Sequence, residues 1–452
     1  MLRSWRERLP LLGGDRQLLG RSAVVLAAVA LSIASCGALL PGSQVRLVGN
    51  GPGVTDDSVK MVFVGVDLEA VAQITGFQFT EFGSYEDQVE ALEDWVNANG
   101  GIGGRTLDAV FKLYGATDDS PAAEEQLCNQ LTQDERAFAV VLTGQFQSNA
   151  RPCYAQRETL ILDETLIATD TEEYEKLAPF LWSPSYPEYG SFVRGMISTL
   201  GDTDFFDGRE RIGVVAADTP VNRRVIEDLA TPLLKEHGVK PEIAWVDTTD
   251  QGSLFQGNDQ AAVTFRTKKI DRVMFLGGAR IASIFTAVAA AQSFSAKYAV
   301  SSFDNPQFYV NNPETIPPEI LEGMVGVGFT PAQDVPDSIL TFPAGKAEKE
   351  CIGIYADAGI TFNSREAARI ALPFCDAMRL FKAAGDLVDG DLNASTWSDA
   401  AHTLTDFRTA AGFGGALDAD TYAAAGAYRV MRYDSDCGCF VYEGSHVDFP
   451  SS

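Results

Sequence analysis

Residues 59–66 read Val-Lys-Met-Val-Phe-Val-Gly-Val, a run of mostly apolar and β-branched side chains. Polar residues border this run on both sides, and its length suits a strand that is buried in a sheet. Residues 85–97 then place apolar side chains at Val89, Leu92 and Val96, the spacing of one helix face. A buried strand that leads into a helix, and not into a hairpin turn, predicts crossover connections and a parallel α/β sheet.

The same alternation continues along the chain and then restarts. In the first series, strands are predicted at 107–113, 138–143 and 159–162, with helices between them. In the second series, strands are predicted at 211–216, 241–246, 272–276 and 298–301, and helices at 222–237, 261–269 and 282–292. Two successive α/β units of this kind predict two similar lobes. The C-terminal third predicts helices at 364–384 and 396–410 and a pair of strands between 428 and 442.

The N-terminus has the features of an export signal. Five arginines precede or border an apolar segment at 23–33, and the small residues Ala34 and Ser35 stand directly before Cys36. The order Ile33-Ala34-Ser35-Cys36 resembles the lipobox of bacterial lipoproteins. This resemblance implies a signal peptide of residues 1–35 and a lipid on Cys36. An uncleaved anchor with a chance cysteine is the alternative, and both place the rest of the chain outside the cytoplasm, held at a membrane.

The charge of the chain excludes one class of partner. The formal net charge is −27, and no run of lysines and arginines follows the N-terminal segment. A field of this sign repels the phosphates of nucleic acids, so no nucleic-acid partner is expected. An apolar content of 46% predicts a folded protein, and the length suits two domains.

Six cysteines remain when Cys36 is set aside. An even number of cysteines outside the cytoplasm favours disulfides. Many pairings are possible, and local spacing favours Cys128–Cys153, Cys351–Cys375 and Cys437–Cys439. A zinc site is the alternative, but none of the three histidines stands beside a cysteine pair at ligand spacing.

The motifs of catalysis and of phosphate binding are absent from the sequence. Residues 99–105 are rich in glycine, but a predicted helix precedes them and a predicted strand follows. A phosphate loop needs the reverse order, so these glycines predict a helix end and a tight turn. The aspartates of 202–207 lack the spacing of a calcium loop, and no Gly-x-Ser-x-Gly or His-Glu-x-x-His motif occurs. We therefore expect no enzymatic activity, no metal and no cofactor.

Several of these segments together resemble a known family. The strand 59–66, the helix that ends at Asn97, the turn 99–105 and the strand end 140–144 follow one another as in the type I periplasmic solute-binding proteins. The similarity is to the branched-chain amino-acid-binding group that serves ABC importers, and it covers about residues 58–445. It implies two Rossmann-like lobes with parallel sheets, joined by three crossovers around a hinged cleft.

The resemblance also implies a division of the chain. Residues 58–180 and about 305–428 would form lobe 1, and residues 181–304 and about 429–450 would form lobe 2. Residues 36–57 would be a flexible, lipid-anchored linker. Ligands of open α/β sheets bind beyond the carboxyl ends of the strands, so the loops there would line the cleft.

In this family the loop after the third strand binds a ligand carboxylate with a hydroxyl group and helix-start N–H groups. The resemblance therefore makes Ser148 and Asn149 candidates, although Ser148 suits a plain helix cap equally well. Thr169 falls near a second family hydroxyl, and Asp304 matches an acid that pairs with a ligand ammonium. The other candidates lie in the loops and the first crossover around the expected cleft: Gln145, Phe146, Tyr186, Tyr189 and Asp218. Phe77, Phe79 and Phe82 are candidates for an apolar wall.

The sequence departs from the family at Gln145-Phe146-Gln147, which is bulkier than a usual amino-acid cleft, and at Leu276, where an aromatic residue is common. The ligand class therefore extends from amino acids to other small polar metabolites such as an amide or a carboxylate. The implied function is delivery of that ligand to an ABC permease in the membrane. A lipoprotein that senses a ligand and reports to a membrane receptor is the alternative.

Overall fold

The computed structural model describes residues 46–75 and 77–451. The signal peptide and the lipid site at Cys36 lie outside the described residues. The strands are β1 (Ser58–Val66), β2 (Thr106–Tyr114), β3 (Ala139–Thr143), β4 (Leu160–Glu164), β5 (Leu181–Trp182), β6 (Arg211–Ala217), β7 (Lys240–Val246), β8 (Arg272–Leu276), β9 (Lys297–Ser301), β10 (Val325–Gly328), β11 (Ala427–Asp434) and β12 (Cys439–Asp448). They form two separate sheets, so the predicted two-lobed α/β class is confirmed.

The first sheet has the strand order β2-β1-β3-β4-β5 and is parallel throughout. The second sheet has the order β12-β11-β10-β9-β8-β6-β7. It is parallel from β7 to β10, and β11 and β12 extend it in the antiparallel direction. The predicted pair of strands near residue 434 is therefore a hairpin that completes the second sheet.

The helices connect the strands and cover both sheets. They are α1 (Leu68–Thr75), α2 (Tyr85–Ala98), α3 (Pro121–Asn129), α4 (Arg151–Gln156), α5 (Thr171–Leu177), α6 (Tyr189–Gly201), α7 (Pro220–Arg224), α8 (Thr231–Glu236), α9 (Gln251–Thr267), α10 (Ala279–Ala291), α11 (Pro306–Asn311), α12 (Pro318–Leu321), α13 (Pro331–Asp334), α14 (Lys346–Asp357), α15 (Ala371–Gly385) and α16 (Ala394–Ala401). Short π-helical segments continue α3 and join α7 to α8, and 3-10 turns lie at Ala116–Asp118 and Ser302–Asp304.

Two predicted helices are shorter in the structure. The helix predicted over 364–384 begins only at Ala371, and the helix predicted over 396–410 ends at Ala401. After that end, the backbone N–H groups of Ala410 and Ala411 donate to the carboxylate of Asp376 in α15. These donors have a side-chain partner, so the chain there is stabilised without continuing the helix.

Alternating side chains bury both faces of each sheet. In β1, Met61 and Phe63 pack with α2 and α15, whereas Val62 and Val64 pack on the opposite face with α3 and α4. The strands of the second sheet divide in the same way between two further clusters. Burial on both faces explains why these strands read as continuous apolar runs in the sequence.

The chain passes between the lobes three times, near residues 183–188, 340–345 and 424–427. The helices α14, α15 and α16 return to the first sheet and pack on it. The sequence predicts that all of 305–428 belongs to lobe 1, but β10 pairs in parallel with β9 and so lies in the second sheet. The sequence also predicts that the first part of lobe 1 ends at 180, but β5 pairs with β4 and so extends the first sheet beyond that residue.

The described end of the predicted linker is docked and not extended. The backbone N–H of Leu47 lies 3.2 Å from Ser395 Oγ, and Asn393 Nδ2 donates to the Gly49 carbonyl at 2.8 Å. The backbone N–H of Gly51 donates to the carbonyl of Leu392 at 2.8 Å. Residues from 47 onward are thus part of lobe 1, which corrects the flexible linker expected as far as residue 57.

The three expected disulfides are present: Cys128–Cys153, Cys351–Cys375 and Cys437–Cys439. The first joins α3 to α4, the second joins α14 to α15, and the third closes the turn between β11 and β12. All six cysteines are used, so none of them is a thiolate ligand for zinc. No helix in the described part of the chain has the length and apolar character of a membrane span.

Candidate functional site

The carboxyl ends of the strands in the two sheets face each other across the lobe interface. Gln147 follows β3 in lobe 1, and its Nε2 donates to the carbonyl of Thr248, which follows β7 in lobe 2, at 2.8 Å. The backbone N–H of Tyr189 at the start of α6 donates to the carbonyl of Thr169 in the loop after β4 at 3.0 Å. These contacts put the loops expected to line a cleft at the junction of the lobes.

A buried carboxylate forms the centre of one inter-lobe contact. Asp119 of lobe 1 has a side chain only 1% exposed. Its Oδ2 accepts from Arg280 Nη1 of lobe 2 and from Gln147 Nε2, both at 2.9 Å, and its Oδ1 accepts from the Tyr114 hydroxyl at 3.0 Å. The Arg280 guanidinium also lies over the Phe146 ring at 4.7 Å. A charge-assisted contact with this degree of burial stabilises the closed arrangement of the lobes.

A second ion pair joins the lobes at the loop after β4. Arg224 of α7 donates to both carboxylate oxygens of Asp170, at 2.7 and 2.6 Å. The hydrogen bond that Arg224 donates to Asp170 raises the pKa of Arg224 against the opposing effect of burial. Asp170 also caps α5 by accepting from the backbone N–H of Glu173 at 3.0 Å. One carboxylate therefore fixes a helix start and a contact between lobes.

A third contact lies on the side of α11. The ring of Phe308 in lobe 2 is 4.9 Å from Phe77 and 5.6 Å from Phe79. The backbone N–H of Gln78 donates to Asn312 Oδ1 at 2.8 Å. The apolar wall expected in the first lobe is therefore, in these two phenylalanines, an inter-lobe contact.

These contacts hold the two lobes against each other. A small cavity remains, with room for about one water molecule. Its lining comes from both lobes and from the first crossover: Asp163, Leu166, Ile167, Thr169, Tyr174, Ser183, Tyr186, Pro187 and Phe303. The structure is thus a closed arrangement, and binding of a metabolite requires the lobes to separate or the lining side chains to move.

Among the candidates from the sequence, Gln145 has the side chain that most clearly lacks hydrogen-bond partners. Its side chain is 0% exposed. Neither the amide nitrogen nor the amide oxygen has a hydrogen-bond partner among the described residues. A buried amide in this state costs free energy, which a group with complementary donors and acceptors would recover.

The other candidates of the loop after β3 have different surroundings. Phe146 is 36% exposed and lies under Arg280. The cap of α4 is Ala150, so Ser148 is not the cap residue that the sequence allowed, and only its carbonyl contacts the helix, accepting from Arg151. Asn149 Nδ2 donates to the Pro121 carbonyl at 3.0 Å. Asn149 thus holds lobe 1 together, and Phe146 faces the second lobe.

Three candidates gather near the first crossover. Thr169 and Tyr186 line the small cavity. The Tyr189 hydroxyl donates to the Leu276 carbonyl at 3.1 Å, and its ring packs edge-on against Phe303. The structure therefore brings Thr169, Tyr186 and Tyr189 to one place between the lobes.

The two candidate aspartates differ from each other. Asp218 forms a bidentate ion pair with Arg223 of its own lobe, at 2.6 and 2.9 Å, in an exposed position. Asp304 is 1% exposed; its Oδ2 accepts from the backbone N–H and hydroxyl of Ser301, whereas Oδ1 has no partner among the described residues. Burial raises the pKa of Asp304 to about 7. Asp304 keeps an unused acceptor, and Asp218 does not.

A buried carboxyl pair lies beside the first crossover and was not among the candidates. The Ser185 hydroxyl is 2.8 Å from Glu164 Oε1 and 3.2 Å from Asp376 Oδ2. Burial, followed by the charge of Asp376, raises the pKa of Glu164 well above its usual value, and burial raises the pKa of Asp376 to about 6. Because one hydroxyl hydrogen serves only one carboxylate, a proton on Glu164 completes the network.

Sequence reasoning also missed the charged groups that join the lobes. Arg280 follows directly after a predicted strand and a Gly-Gly pair, so its place at a strand end could have been found. Arg224 lies where no local pattern marks it, because its partner Asp170 is distant in the sequence.

Comparison with solved structures identifies the fold. A periplasmic binding protein type 1 from Bordetella pertussis Tohama I is similar with a TM-score of 0.59 at 14% sequence identity, covering 86% of this chain and 99% of that chain. The chain has the type I periplasmic binding-protein fold. No family model matches the sequence, and no curated protein matches it.

Two further similar structures are of proteins named as substrate-binding proteins. The fatty acid ABC transporter substrate-binding protein from Thermomonospora curvata gives a TM-score of 0.58 at 14% identity, covering 89% of this chain and 95% of its own. The branched-chain amino acid transporter substrate-binding protein LivJ from Streptococcus pneumoniae, in complex with isoleucine, gives a TM-score of 0.55 at 14% sequence identity. The match covers 87% of this chain and 100% of that chain. At these identities the likeness establishes the fold of the chain alone.

Proposed function

We propose that this chain is an extracytoplasmic, lipid-anchored substrate-binding protein. It binds a small polar metabolite between its lobes and delivers it to an ABC permease. The metabolite is an amino acid or a molecule of similar size and polarity. The chain uses no cofactor and does not transform its ligand.

One observation supports this proposal: the buried amide of Gln145, in the loop after β3, has no partner among the described residues, and the chain forms two lobes joined by three crossovers. Lobes connected in this way move as bodies about their crossovers, so an open and a closed form interconvert. A ligand that contacts both lobes shifts the population toward the closed form. Gln145 then gains the hydrogen bonds that it lacks.

The candidate ligand contacts are the residues that the closed structure brings together. We propose Gln145, Phe146, Thr169, Tyr186 and Asp304 as these contacts; Thr169 and Tyr186 line the small cavity, Phe146 lies under Arg280, and Gln145 and Asp304 have buried atoms without a partner among the described residues. Asn149 and Asp218 are committed to partners within their own lobes, and we leave them out of the proposed site.

The proposed membrane attachment rests on the sequence at Cys36, and the chain is docked on lobe 1 from Leu47 onward. Between them the chain has only the residues of 37–46, which span at most about 35 Å when fully extended. A leash of this length would keep lobe 1 close to the membrane surface, where a permease is reached. Replacing Cys36 by serine should release the protein from the membrane, as a fractionation experiment would detect.

The binding function is tested on the native protein. Small molecules released by denaturing the purified chain are identified by mass spectrometry, and the stripped chain is titrated with them by calorimetry. A Gln145→Ala variant should bind about tenfold more weakly, since a hydrogen-bonded contact is lost. The exposed Gln256→Ala variant is the matched control and should bind as the unmodified chain does.

Two results would contradict the proposal. One is a chain from which no small molecule is recovered and which no amino acid, organic acid or amide stabilises in thermal unfolding. The other is turnover of the recovered molecule into a product. Binding without any loss of uptake in cells that lack the gene would favour the sensing alternative over delivery to a permease.

A further inference from the structure

Arg369 carries a positive charge and has no ion-pair partner among the described residues. It lies in the turn before α15, and its guanidinium carbon is 4.6 Å from the centre of the Phe82 ring. Within the described residues, its guanidinium forms no ion pair and no hydrogen bond. The neighbouring Arg365 is the opposite case, because it donates to Glu348 at 2.6 Å and to the Leu340 carbonyl at 2.7 Å. One arginine of this turn has a structural role, and the other is uncommitted.

One aromatic ring, that of Phe82, contacts this cation, and two tyrosines are close enough to interact with its charge. Phe82 precedes α2, Tyr85 begins α2, and Tyr186 lies in the first crossover. Burial raises the pKa of Tyr85 to about 12 and that of Tyr186 well above its usual value, and the nearby Arg369 charge opposes both rises. A ring packed on the face of a guanidinium leaves its in-plane N–H groups available to another partner.

Contacts between the lobes flank Arg369 on two sides. Three residues earlier in the chain, Glu366 Oε1 accepts from Asn311 Nδ2 of α11 in lobe 2 at 2.7 Å. On the other side, Phe79 packs against Phe308 of the same helix. Arg369 therefore lies in a turn whose neighbouring residue Glu366 contacts the second lobe.

The partial burial of Arg369 makes contact with an anion favourable, because its guanidinium has no ion pair among the described residues. Arg369 is half-buried, and burial lowers the pKa of its guanidinium, an effect that the charge of Glu366 partly offsets. Removing a guanidinium from water without giving it an ion pair costs free energy. A carboxylate that accepts two parallel N–H bonds from the guanidinium fork would offset that cost.

The surrounding charges select the kind of anion. Glu366 lies near the guanidinium and supplies a negative charge beside it. A phosphate dianion would bring two negative charges into this acidic setting, whereas a carboxylate brings one. The planar carboxylate also matches the guanidinium fork.

We infer that Arg369 binds the carboxylate of the ligand, and that the ligand is a small monocarboxylate whose apolar part packs against Phe82, Tyr85 and Tyr186. The inference rests on the proposed function, because it needs a ligand between the lobes. It assigns the carboxylate to an arginine side chain of the turn before α15, whereas the family resemblance assigns it to the loop after β3.

The first test uses the unmodified full chain and matched pairs of probes. Leucine, benzoate and hexanoate are each compared with the corresponding amide, together with the molecule recovered from the native protein, by calorimetry and thermal unfolding. A carboxylate should bind about 10- to 100-fold more tightly than its amide. Equal binding within a pair overturns the inference, and so does a recovered ligand that has no carboxylate.

The second test uses variants. Arg369→Gln should weaken carboxylate binding about 10- to 100-fold, and Arg369→Lys should restore part of it. Arg211→Gln is the matched control, because Arg211 is exposed at the start of β6, at the far end of the strand from the junction. If Arg369→Gln lowers stability but leaves affinity unchanged, the residue is structural and the inference is overturned, while the proposed function stands.

A failure of the Arg369 inference can be told apart from a failure of the proposed function. If the glutamine variant does not fold, the comparison of carboxylates with amides on the unmodified chain still decides the question. If the unmodified chain binds no probe and releases no small molecule, the proposed function fails, and the role of Arg369 fails with it.

Discussion

Arg280 of the second lobe lies with its Nη1 atom 2.9 Å from Oδ2 of Asp119 in the first lobe. The two residues are 161 positions apart in the sequence and meet only because the lobes are closed. Both side chains are largely buried. We therefore expect this pair to set the balance between the closed and the open form.

A double-mutant cycle measures that balance. Arg280→Ala, Asp119→Asn and the double variant should give a coupling energy of about 1.5–3 kcal/mol in chemical unfolding, because the hydrogen bond is charged and buried. The Asp218–Arg223 pair is the matched control, since both its residues lie in one lobe and are exposed, and its coupling should stay below about 1 kcal/mol. Arg280→Ala should also increase the radius of gyration in X-ray scattering. Equal coupling in the two pairs would contradict this role.

Replacing Gln145 by leucine should separate stability from binding. The unmodified amide is buried without a partner, so an apolar side chain of similar size should raise the free energy of unfolding by about 1 kcal/mol. The same change removes the groups proposed to contact the ligand, so affinity should fall. Urea unfolding and calorimetry measure the two effects, and Gln256→Leu at an exposed position controls for the substitution. A variant that is less stable and binds normally would rule out this role for Gln145.

Stability should fall as the pH rises from about 4 to about 7. Burial raises the pKa of Asp304 and of Asp334 to about 7 in the folded chain, above the ordinary acidic value of the unfolded chain. Between those values the folded state holds the proton and the unfolded state does not, so each carboxyl stabilises the fold at low pH and loses that effect as the pH rises through 7. The slope is at most about 1.4 kcal/mol per pH unit for each group.

Thermal unfolding across that pH range checks this sign. Asp334→Asn should flatten the dependence, because the amide keeps the buried shape and does not titrate. Asp56→Asn, at an exposed position, is the matched control and should leave the slope unchanged. A melting temperature that rises from pH 4 to pH 7 would contradict the assignment.

The disulfides should differ in their contribution to stability. Cys351–Cys375 joins residues 24 positions apart, whereas Cys437–Cys439 joins residues two positions apart. In the chain-entropy account, removing the first link by serine substitution costs about 3.5 kcal/mol and removing the second costs roughly 1.6 kcal/mol. Urea unfolding of the two double-serine variants compares them. A larger loss from the short link would show that chain entropy does not govern these bonds here.

The strands and their order of appearance followed from the sequence because each is a local run. The residues 59–66 and 272–276 are buried on both faces, so their apolar character is continuous and visible without the structure. Cysteine spacing was informative for the same reason, since all three links are local. The helix limits near Ala371 and Ala401 were harder to predict from the sequence. After Ala401, for example, the distant side chain of Asp376 accepts the backbone hydrogen bonds that a longer helix would have satisfied.

The sequence by itself determined that this chain builds two α/β units, because alternating buried strands and amphipathic helices are written in neighbouring residues. Only the tertiary structure decided which strand ends face each other and which charged groups meet there. Arg280 contacts Asp119, and Arg369 lies against the ring of Phe82. In each pair the two residues are far apart in the sequence, so no local pattern encodes the contact. Local physics sets the elements, whereas the junction between the lobes depends on how the whole chain packs.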